Sequence, residues 1–381
     1  MRRSGRFINE KRLSEMRIGM DATPIFLRKG GIGYYTHNLL EYLTRIDTQN
    51  EYILFTTAQS QPEPPIPFIT RPNVGIIYAP KWLQKWRCGK ERIDLYHGTN
   101  FRLRGRGRSG NIVTIHDLAF KHYPHFLKKK FGQALSFWKT KRDVHRADRV
   151  IAVSRHTARD VIDFFKIDQE RVRVIYHGVE DHFRPDVPGE SIVEVKRNYR
   201  ILTPKYILWV GTLEPRKNLR TLIQAYRQLK DIHAEYSLVL GGGPGWQYQD
   251  ILPLTLPLQN RISITGYLPQ RDLIALYAGA SLFVYPSLYE GFGMPLLEAM
   301  ASGVPIVASG TSSIPEVVGD AGILVDPLSI SEMSQAILKL LNDNSLRSSF
   351  SQKGIQRAKQ FTWERAARET LEIYREIIGR A

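Results

Sequence analysis

Cysteine is nearly missing from this 381-residue sequence: Cys88 stands alone, which excludes an internal disulfide and fits a reducing compartment. No Cys/His cluster with zinc spacing occurs. No stretch approaches the roughly 18 consecutive apolar residues of a membrane-crossing helix. Residues 1–16 (MRRSGRFINEKRLSEM) carry positive charge but no apolar h-region, so they read as a mobile basic extension rather than a secretory signal. The phosphate loop GxxxxGK[ST] is also absent. These absences together point to a cytoplasmic protein without a metal or cofactor signature.

Acidic residues are the other shortage. Against 54 Lys and Arg stand 37 Asp and Glu, a net charge of +17. Residues 1–190 hold 34 of the basic and 20 of the acidic side chains, so nearly all of the excess lies in the first half. It is concentrated in runs such as Arg102, Arg104, Arg106, Arg108 and Lys128, Lys129, Lys130. A field of this kind attracts nucleic acid, an anionic membrane surface or a phosphorylated substrate. The bland alternative is a solvated basic surface.

What is present is a regular alternation of short β-rich runs with helical segments, the pattern of a doubly wound α/β protein. The first half predicts strands at Arg17–Met20, Tyr52–Phe55, Val74–Tyr78, Leu95–His97, Asn111–Ile115, Arg149–Val153 and Val172–Tyr176. Helices fall between them at Tyr34–Thr44, Lys128–Arg146 and His156–Phe165. A polar stretch near 180–190 interrupts the alternation. It restarts with strands at Tyr206–Val210, Ser237–Leu240, Arg261–Ile264, Leu282–Tyr285, Pro305–Ala308 and Gly322–Val325, with helices such as Leu219–Leu229 and Ser331–Asn342. Two tandem Rossmann-like domains follow: 17–185 and 186–360, with residues 361–381 as a closing helix.

Ligands of open α/β sheets bind where strand ends lead into helix N-termini. Gly30, Gly31 and Gly33 mark one such junction and Gly241, Gly242, Gly243 and Gly245 another. Neither is a dinucleotide fingerprint: GGIGYYT lacks the third glycine, and the next strand ends in Thr56 and Thr57 with no acid for a ribose. The richer segment is Ser287–Ser309, SLYEGFGMPLLEAMASGVPIVAS. A strand runs into a loop with Glu290, Gly291 and Gly293, and a helix opens at Pro295 and ends before Gly303. Amides around Gly293, Met294 and Leu296 would be free donors at the positive end of the helix, a ready anion site. The two glycines would let a ligand approach the backbone. Glu290 precedes the helix and Glu298 lies in its first turn; acids flanking an anion site suit the hydroxyls of ribose and sugar.

The spacing Glu290-x7-Glu298 within S-x-x-E-G-F-G-x-P-x-x-E-A resembles the signature of the retaining family 4 glycosyltransferases, which have the GT-B fold. Further blocks that resemble this family are GGIGY at 30–34, TIHDL at 114–118, VGTLEPRKNL at 210–219, TGYL at 265–268 and the ending FTWERAARETLEIYREI. The resemblance implies two Rossmann-like domains facing across a cleft, with the last helix returning to the first domain. It implies that Arg216 and Lys217 clamp the diphosphate of a nucleotide sugar, with Thr212 in the same loop. Glu298 would hold the ribose, Glu290 would contact the donor hexose and stabilise developing positive charge, and His116 would approach that sugar. Backbone donors from Gly291, Phe292, Gly293, Met294 and Leu296 would hold hexose and phosphate. Gly266 and Tyr267 would lie near the base, and Gly31 and Gly33 would let the first domain's loop close over the diphosphate. His97 and Asn100 are candidates for the acceptor side.

No D-x-D triplet occurs, so a divalent clamp on the diphosphate has no candidate, and charge on the leaving group falls to Arg216, Lys217 and the helix N-terminus. The resemblance implies retention, for which front-face attack is the favoured route. The acceptor expected is a glycan or a lipid-linked sugar. Lys81–Lys90 (KWLQKWRCGK) and Pro124–Arg142 are basic and amphipathic; Trp82 and Trp86 lie four residues apart, as an interfacial anchor would have them or as a core-facing pair. The expected location is therefore the cytoplasm, peripheral at the inner face of the plasma membrane. Rival readings are a GT-B sugar-nucleotide epimerase and, on charge alone, a nucleic-acid-binding protein, for which every recognised motif is lacking.

Overall fold

The protein is seen in a computed structural model that describes residues 16–26, 30–57, 66–124 and 130–379, without the side chains of 130–134. Residues 1–15 of the basic extension, Lys128 and Lys129 lie outside the described residues.

Two parallel sheets form the frame. The first contains β1 (Arg17–Asp21), β2 (Glu51–Thr56), β3 (Val74–Tyr78), β4 (Leu95–Gly98), β5 (Gly110–Ile115), β6 (Arg149–Ala152) and β7 (Val172–Val174), in the order β3-β2-β1-β4-β5-β6-β7. The second contains β8 (Lys205–Val210), β9 (Tyr236–Gly241), β10 (Ile262–Gly266), β11 (Leu282–Tyr285), β12 (Ile306–Ser309) and β13 (Gly322–Val325), in the order β10-β9-β8-β11-β12-β13. Strands covered on both faces must be apolar throughout, which is why runs such as Ile207-Leu208-Trp209 and Leu282–Tyr285 are fully enclosed.

Six helices frame the cleft and its surroundings: α1 (Gly31–Ile46), α2 (Lys130–Arg146), α3 (Arg155–Phe165), α4 (Met294–Ala301), α5 (Asn344–Ala358) and α6 (Trp363–Ile378). On one face of the first sheet, Ile18, Met20, Leu95 and Ile112 pack with Leu39 and Leu43 of α1 and with Trp363, Leu371 and Tyr374 of α6. The last helix thus completes the core of the first domain. Two polar ties fix it there: the Tyr374 hydroxyl lies 2.7 Å from His97 Nδ1, and Arg149 pairs with Glu376 at 2.6 Å. The chain leaves this core after Ile175, enters the second at Phe183, and returns between Phe361 and Trp363. The two crossing segments touch through the Val179 amide, which donates to the Phe361 carbonyl at 3.1 Å.

On the opposite face of the first sheet, Cys88 of the helix Gln84–Lys90 is buried against Phe55 and Tyr96, a packing residue whose thiol burial pushes up to about 11. Trp86 stands on the solvent side of that helix, 58% exposed. Trp82 lies in the turn before it, 80% exposed, so the two do not share a helical face. Trp138 on α2 is 58% exposed as well. None of the three faces the core.

Candidate active site

Each sheet reverses its strand order at its first strand: β1 lies between β2 and β4, and β8 between β9 and β11. Such a reversal parts the loops at the carboxyl ends and opens a crevice. Between the two crevices lies a cavity of about 480 Å³. The first domain lines it with Gly31, Ile32 and Tyr34 of α1 and with His116 and Asp117 beyond β5. The second contributes Gly211 and Thr212 beyond β8, Gly241 to Gly243, Tyr285 at the end of β11, and residues 290–295 with Glu298.

Two helix N-termini converge here. The caps of α1 (Gly30) and α4 (Gly293) make no side-chain capping bond, so neither end is quenched from within. A side chain on Gly31 would come within 3.3 Å of the Met294 methyl, which puts the two ends face to face. Each supplies roughly half a positive charge.

Beneath them sits a charge cluster. The turn Pro215–Lys217 is held by Asn218, whose left-handed backbone (φ +57°) Asn tolerates well. The Asn218 side chain donates to the carbonyls of Pro286 (3.1 Å) and Pro327 (2.6 Å), tying this turn to the loop that carries Glu290. Lys217 Nζ then lies 2.6 Å and Arg216 Nη1 3.0 Å from opposite oxygens of Glu290. The Tyr285 hydroxyl donates to Glu290 at 2.9 Å, and Arg216 also pairs with Glu214 at 2.7 Å. Burial alone would raise the Glu290 carboxyl; the adjacent Lys217 and Arg216 overcome it and hold it at about 2. Glu290 is therefore a permanent carboxylate.

Glu298 is the opposite case. It is half-buried, has no cationic partner among the described residues, and burial pushes it up to about 7, with the 2.8 Å hydrogen bond from Tyr277 pulling the other way. His116 is driven down to about 4 by burial, so its ring is neutral. Its Nε2 lies 2.8 Å from the Thr99 carbonyl and must donate to it, which leaves Nδ1 an acceptor.

The structure brings Gly31, His116, Thr212, Arg216, Lys217, Tyr267, Glu290, Gly291, Phe292, Gly293, Met294 and Glu298 around this one cavity. It corrects several details. Gly31 and Gly33 are not in a loop: α1 begins at Gly31, so both belong to its first turn, and Gly33 is buried away from the cavity. α4 begins at Met294, which puts Glu298 beyond its first turn. The Leu296 amide is not free; with Gly293 at φ +107°, the Gly293 carbonyl turns back to accept from it at 3.0 Å. Gly266 does not line the cavity, although its neighbour Tyr267 does. Gly291 is required by the other domain: a Cβ there would lie 1.7 Å from the His116 carbonyl oxygen. His97 is fully enclosed between Tyr374 and Thr114, so it ties α6 to the sheet and does not reach an acceptor.

Comparison with known proteins decides the family. The family model described as Glycosyl transferases group 1 matches residues 193–357, and that of Glycosyltransferase Family 4 matches 29–183. O-antigen chain mannosyltransferase B of Escherichia coli is 36% identical over 300 residues, 77% of this chain and 77% of its own. The chain belongs to glycosyltransferase family 4. The serotype-specific mannosyltransferase WbdA of Escherichia coli is 32% identical over 62% of the glycosyltransferase, which matches 30% of that longer protein. Sucrose-phosphate synthase of Thermosynechococcus elongatus superposes with a TM-score of 0.76 over 96% of this chain and 100% of its own at 22% identity. HepE of Anabaena, in complex with UDP-glucose, gives 0.74 over 95% and 99% at 18% identity. The architecture is GT-B.

Sequence reasoning missed several residues of the glycosyltransferase site. Tyr285 and Tyr277, which hold the two glutamates, are the ends of apolar segments and carry no motif of their own. His177 lines the cavity from the domain junction, packed between Phe292 (4.8 Å) and Trp363 (5.6 Å), with neither ring nitrogen hydrogen-bonded. No metal ligand was expected, yet among the described residues His122, His156 and Asp160 form a group whose ligand atoms lie within 4.8 Å of one another. Hydrogen bonds account for most of it: Asp160 receives Tyr289 Oη at 2.5 Å and lies 2.9 Å from His122 Nε2.

Proposed function

We propose that this glycosyltransferase moves a hexose, with retention of anomeric configuration, from a nucleotide-diphosphate sugar of the UDP-glucose or GDP-mannose type to a glycan or lipid-linked acceptor in cell-surface polysaccharide or glycolipid synthesis. The observation that carries this reading is the meeting of Arg216, Lys217, Glu290, Glu298 and two uncapped helix N-termini in one interdomain cavity. The mannosyl relatives favour mannose as the sugar.

In this reading Arg216, Lys217 and the amides at the starts of α1 and α4 hold the diphosphate. The two cations already face Glu290 and Glu214, so the cluster is close to neutral before the donor arrives. The helix ends must then supply much of the attraction, as fixed dipoles that need no reorganisation. Glu298 accepts from the ribose hydroxyls, and His116 Nδ1 accepts from a sugar hydroxyl. A carboxylate held at about 2 is a poor base, which supports assigning the proton elsewhere. As the bond from C1 to the phosphate oxygen breaks, its electron pair leaves with the diphosphate. The acceptor oxygen bonds to C1 on the same face, and its proton passes to the departing phosphate. Glu290 stabilises the cationic sugar between these events. No divalent ion is required in this scheme, since the fixed cations and helix ends meet the leaving group's charge. The exposed Trp82, Trp86 and Trp138 beside basic side chains support peripheral attachment to an anionic membrane face.

Calorimetry with UDP, GDP and ADP in EDTA, on the wild type and Arg216→Ala, tests the donor site. One nucleotide should bind in the micromolar range and be weakened at least about tenfold in the variant. Binding that appears only with added divalent ion would sink the metal-free scheme, and an inverted product anomer seen by NMR would sink retention.

A further inference from the structure

A second interdomain cavity, of about 560 Å³, lies behind the donor site and is divided from it by the rings of Phe292, Tyr176 and Phe361, whose centroids are 5.5–6.0 Å apart. Four guanidinium groups line it: Arg155 and Arg159 from the first domain, Arg357 from α5 of the second, and Arg365 from the returning α6. Arg155 and Arg159 are one turn apart on α3, exposed, and without a carboxylate in ion-pair range among the described residues. Arg357 donates only to neutral acceptors, the carbonyls of Val317 (3.0 Å) and Glu316 (2.7 Å) and the Gln360 side chain (2.8 Å). Arg365 is paired with Glu369, which does not line the cavity.

Among the described residues, the one carboxylate in the lining is Glu316. It is directed at the start of α3, accepting from the amides of Arg155 (2.8 Å) and His156 (3.3 Å), and from the Tyr176 hydroxyl at 2.6 Å. Its charge is thereby engaged by a helix end and a phenol. Four arginines against Glu316 and the Glu369 that pairs Arg365 leave an excess of about two positive charges around a partly open cavity. Mutual repulsion of this kind is relieved by a multivalent anion, and the planar guanidinium fork matches pairs of phosphate oxygens better than an ammonium does.

We propose that this cavity is a second anion site, independent of the donor pocket, for a ligand carrying two or more phosphate charges, and that the ligand bridges the two domains. Such a group can come from a free phosphoanhydride or from a phosphate-bearing lipid. Pyrophosphate is the soluble probe, and phosphatidylcholine vesicles doped with phosphatidic acid are the membrane probe. The variants are Arg155→Ala/Arg159→Ala, both on the surface, and Arg216→Ala in the donor pocket. Calorimetry of the wild type with pyrophosphate should show two sites, of which the double variant retains the donor site and Arg216→Ala retains the other. If only the vesicles bind, flotation in a Trp82→Ala/Trp86→Ala background should fall at least about fivefold when Arg155 and Arg159 are removed, making the phosphate lipid-borne. Unchanged pyrophosphate stoichiometry and unchanged flotation in the double variant overturn the proposal. Loss of all pyrophosphate binding in Arg216→Ala, with binding unchanged in Arg155→Ala/Arg159→Ala, also overturns it, while the reading of the donor pocket stands.

Discussion

At the scale of single residues, two glutamates eight positions apart occupy opposed electrostatic states. Glu290 is ionised by its cations. Replacing it with Gln leaves Lys217 and Arg216 buried opposite a neutral amide, and removing one member of such a pair costs about 3–5 kcal/mol. Glu290→Gln should therefore lower the melting temperature by several degrees and reduce kcat by about 10²- to 10³-fold, with nucleotide binding strengthened rather than weakened, since the two cations lose a competing carboxylate. A variant with wild-type turnover would remove Glu290 from the chemistry. For Glu298 the sign runs the other way. Its folded pKa of about 7 lies above the ordinary 4.5, so its contribution to stability is fully present below 4.5 and is lost as pH rises through 7. Glu298→Gln should gain melting temperature relative to wild type between pH 5 and pH 8. The same titration creates the acceptor for ribose hydroxyls, so wild-type nucleotide affinity should rise through pH 7 and the variant's should stay flat and weaker. Parallel pH profiles for the two proteins would contradict this assignment. The glutamates were legible because their spacing sits in a long motif. Their partners were not, since Tyr277 and Tyr285 look in sequence like any buried aromatic at a strand or helix end.

At the scale of elements, all thirteen strands of the described residues were legible, because a strand enclosed on both faces writes itself as a short apolar run between polar turns. Helix starts were harder. Glycine is a poor helix former, so GGIGY reads as a loop, yet the Tyr34 amide already donates to the Gly30 carbonyl at 3.0 Å and α1 begins at Gly31. The tight approach of Gly291 to His116 across the cleft was invisible for a similar reason: a glycine needed by a ligand and one needed by another backbone look alike. Gly291→Ala tests which is meant. Its Cβ would meet the His116 carbonyl and the Asp117 Cβ, backbone-fixed atoms that no rotamer change can clear. The expected outcome is two well-folded domains held further apart: a larger radius of gyration by solution scattering, and kcat/KM lower by about 10- to 100-fold. Unchanged scattering with full activity would show that the contact is dispensable.

At the scale of the whole molecule, charge and exposed aromatics coincide. The basic excess of the first half and the solvent-facing Trp82, Trp86 and Trp138 belong to one domain. Removing Trp82 and Trp86 together should reduce flotation with anionic vesicles at least about fivefold, and raising salt should weaken what remains. Equal flotation of both proteins in low salt would leave the tryptophans without this role. Charge asymmetry was plain in the sequence; that the tryptophans face outward was not, since an amphipathic stretch reads the same for a core as for an interface.

The seating of α6 against β1, β4 and α1 has one more consequence, for biosynthesis. The first domain is translated first, but Trp363, Leu371 and Tyr374, which close one face of its sheet, leave the ribosome last. The second domain, whose core draws on residues 183–361 and on Val153, is complete before the first can finish. Order of synthesis and order of folding are thus reversed, and the nascent first domain must wait with an apolar sheet face open, a natural point for chaperone capture.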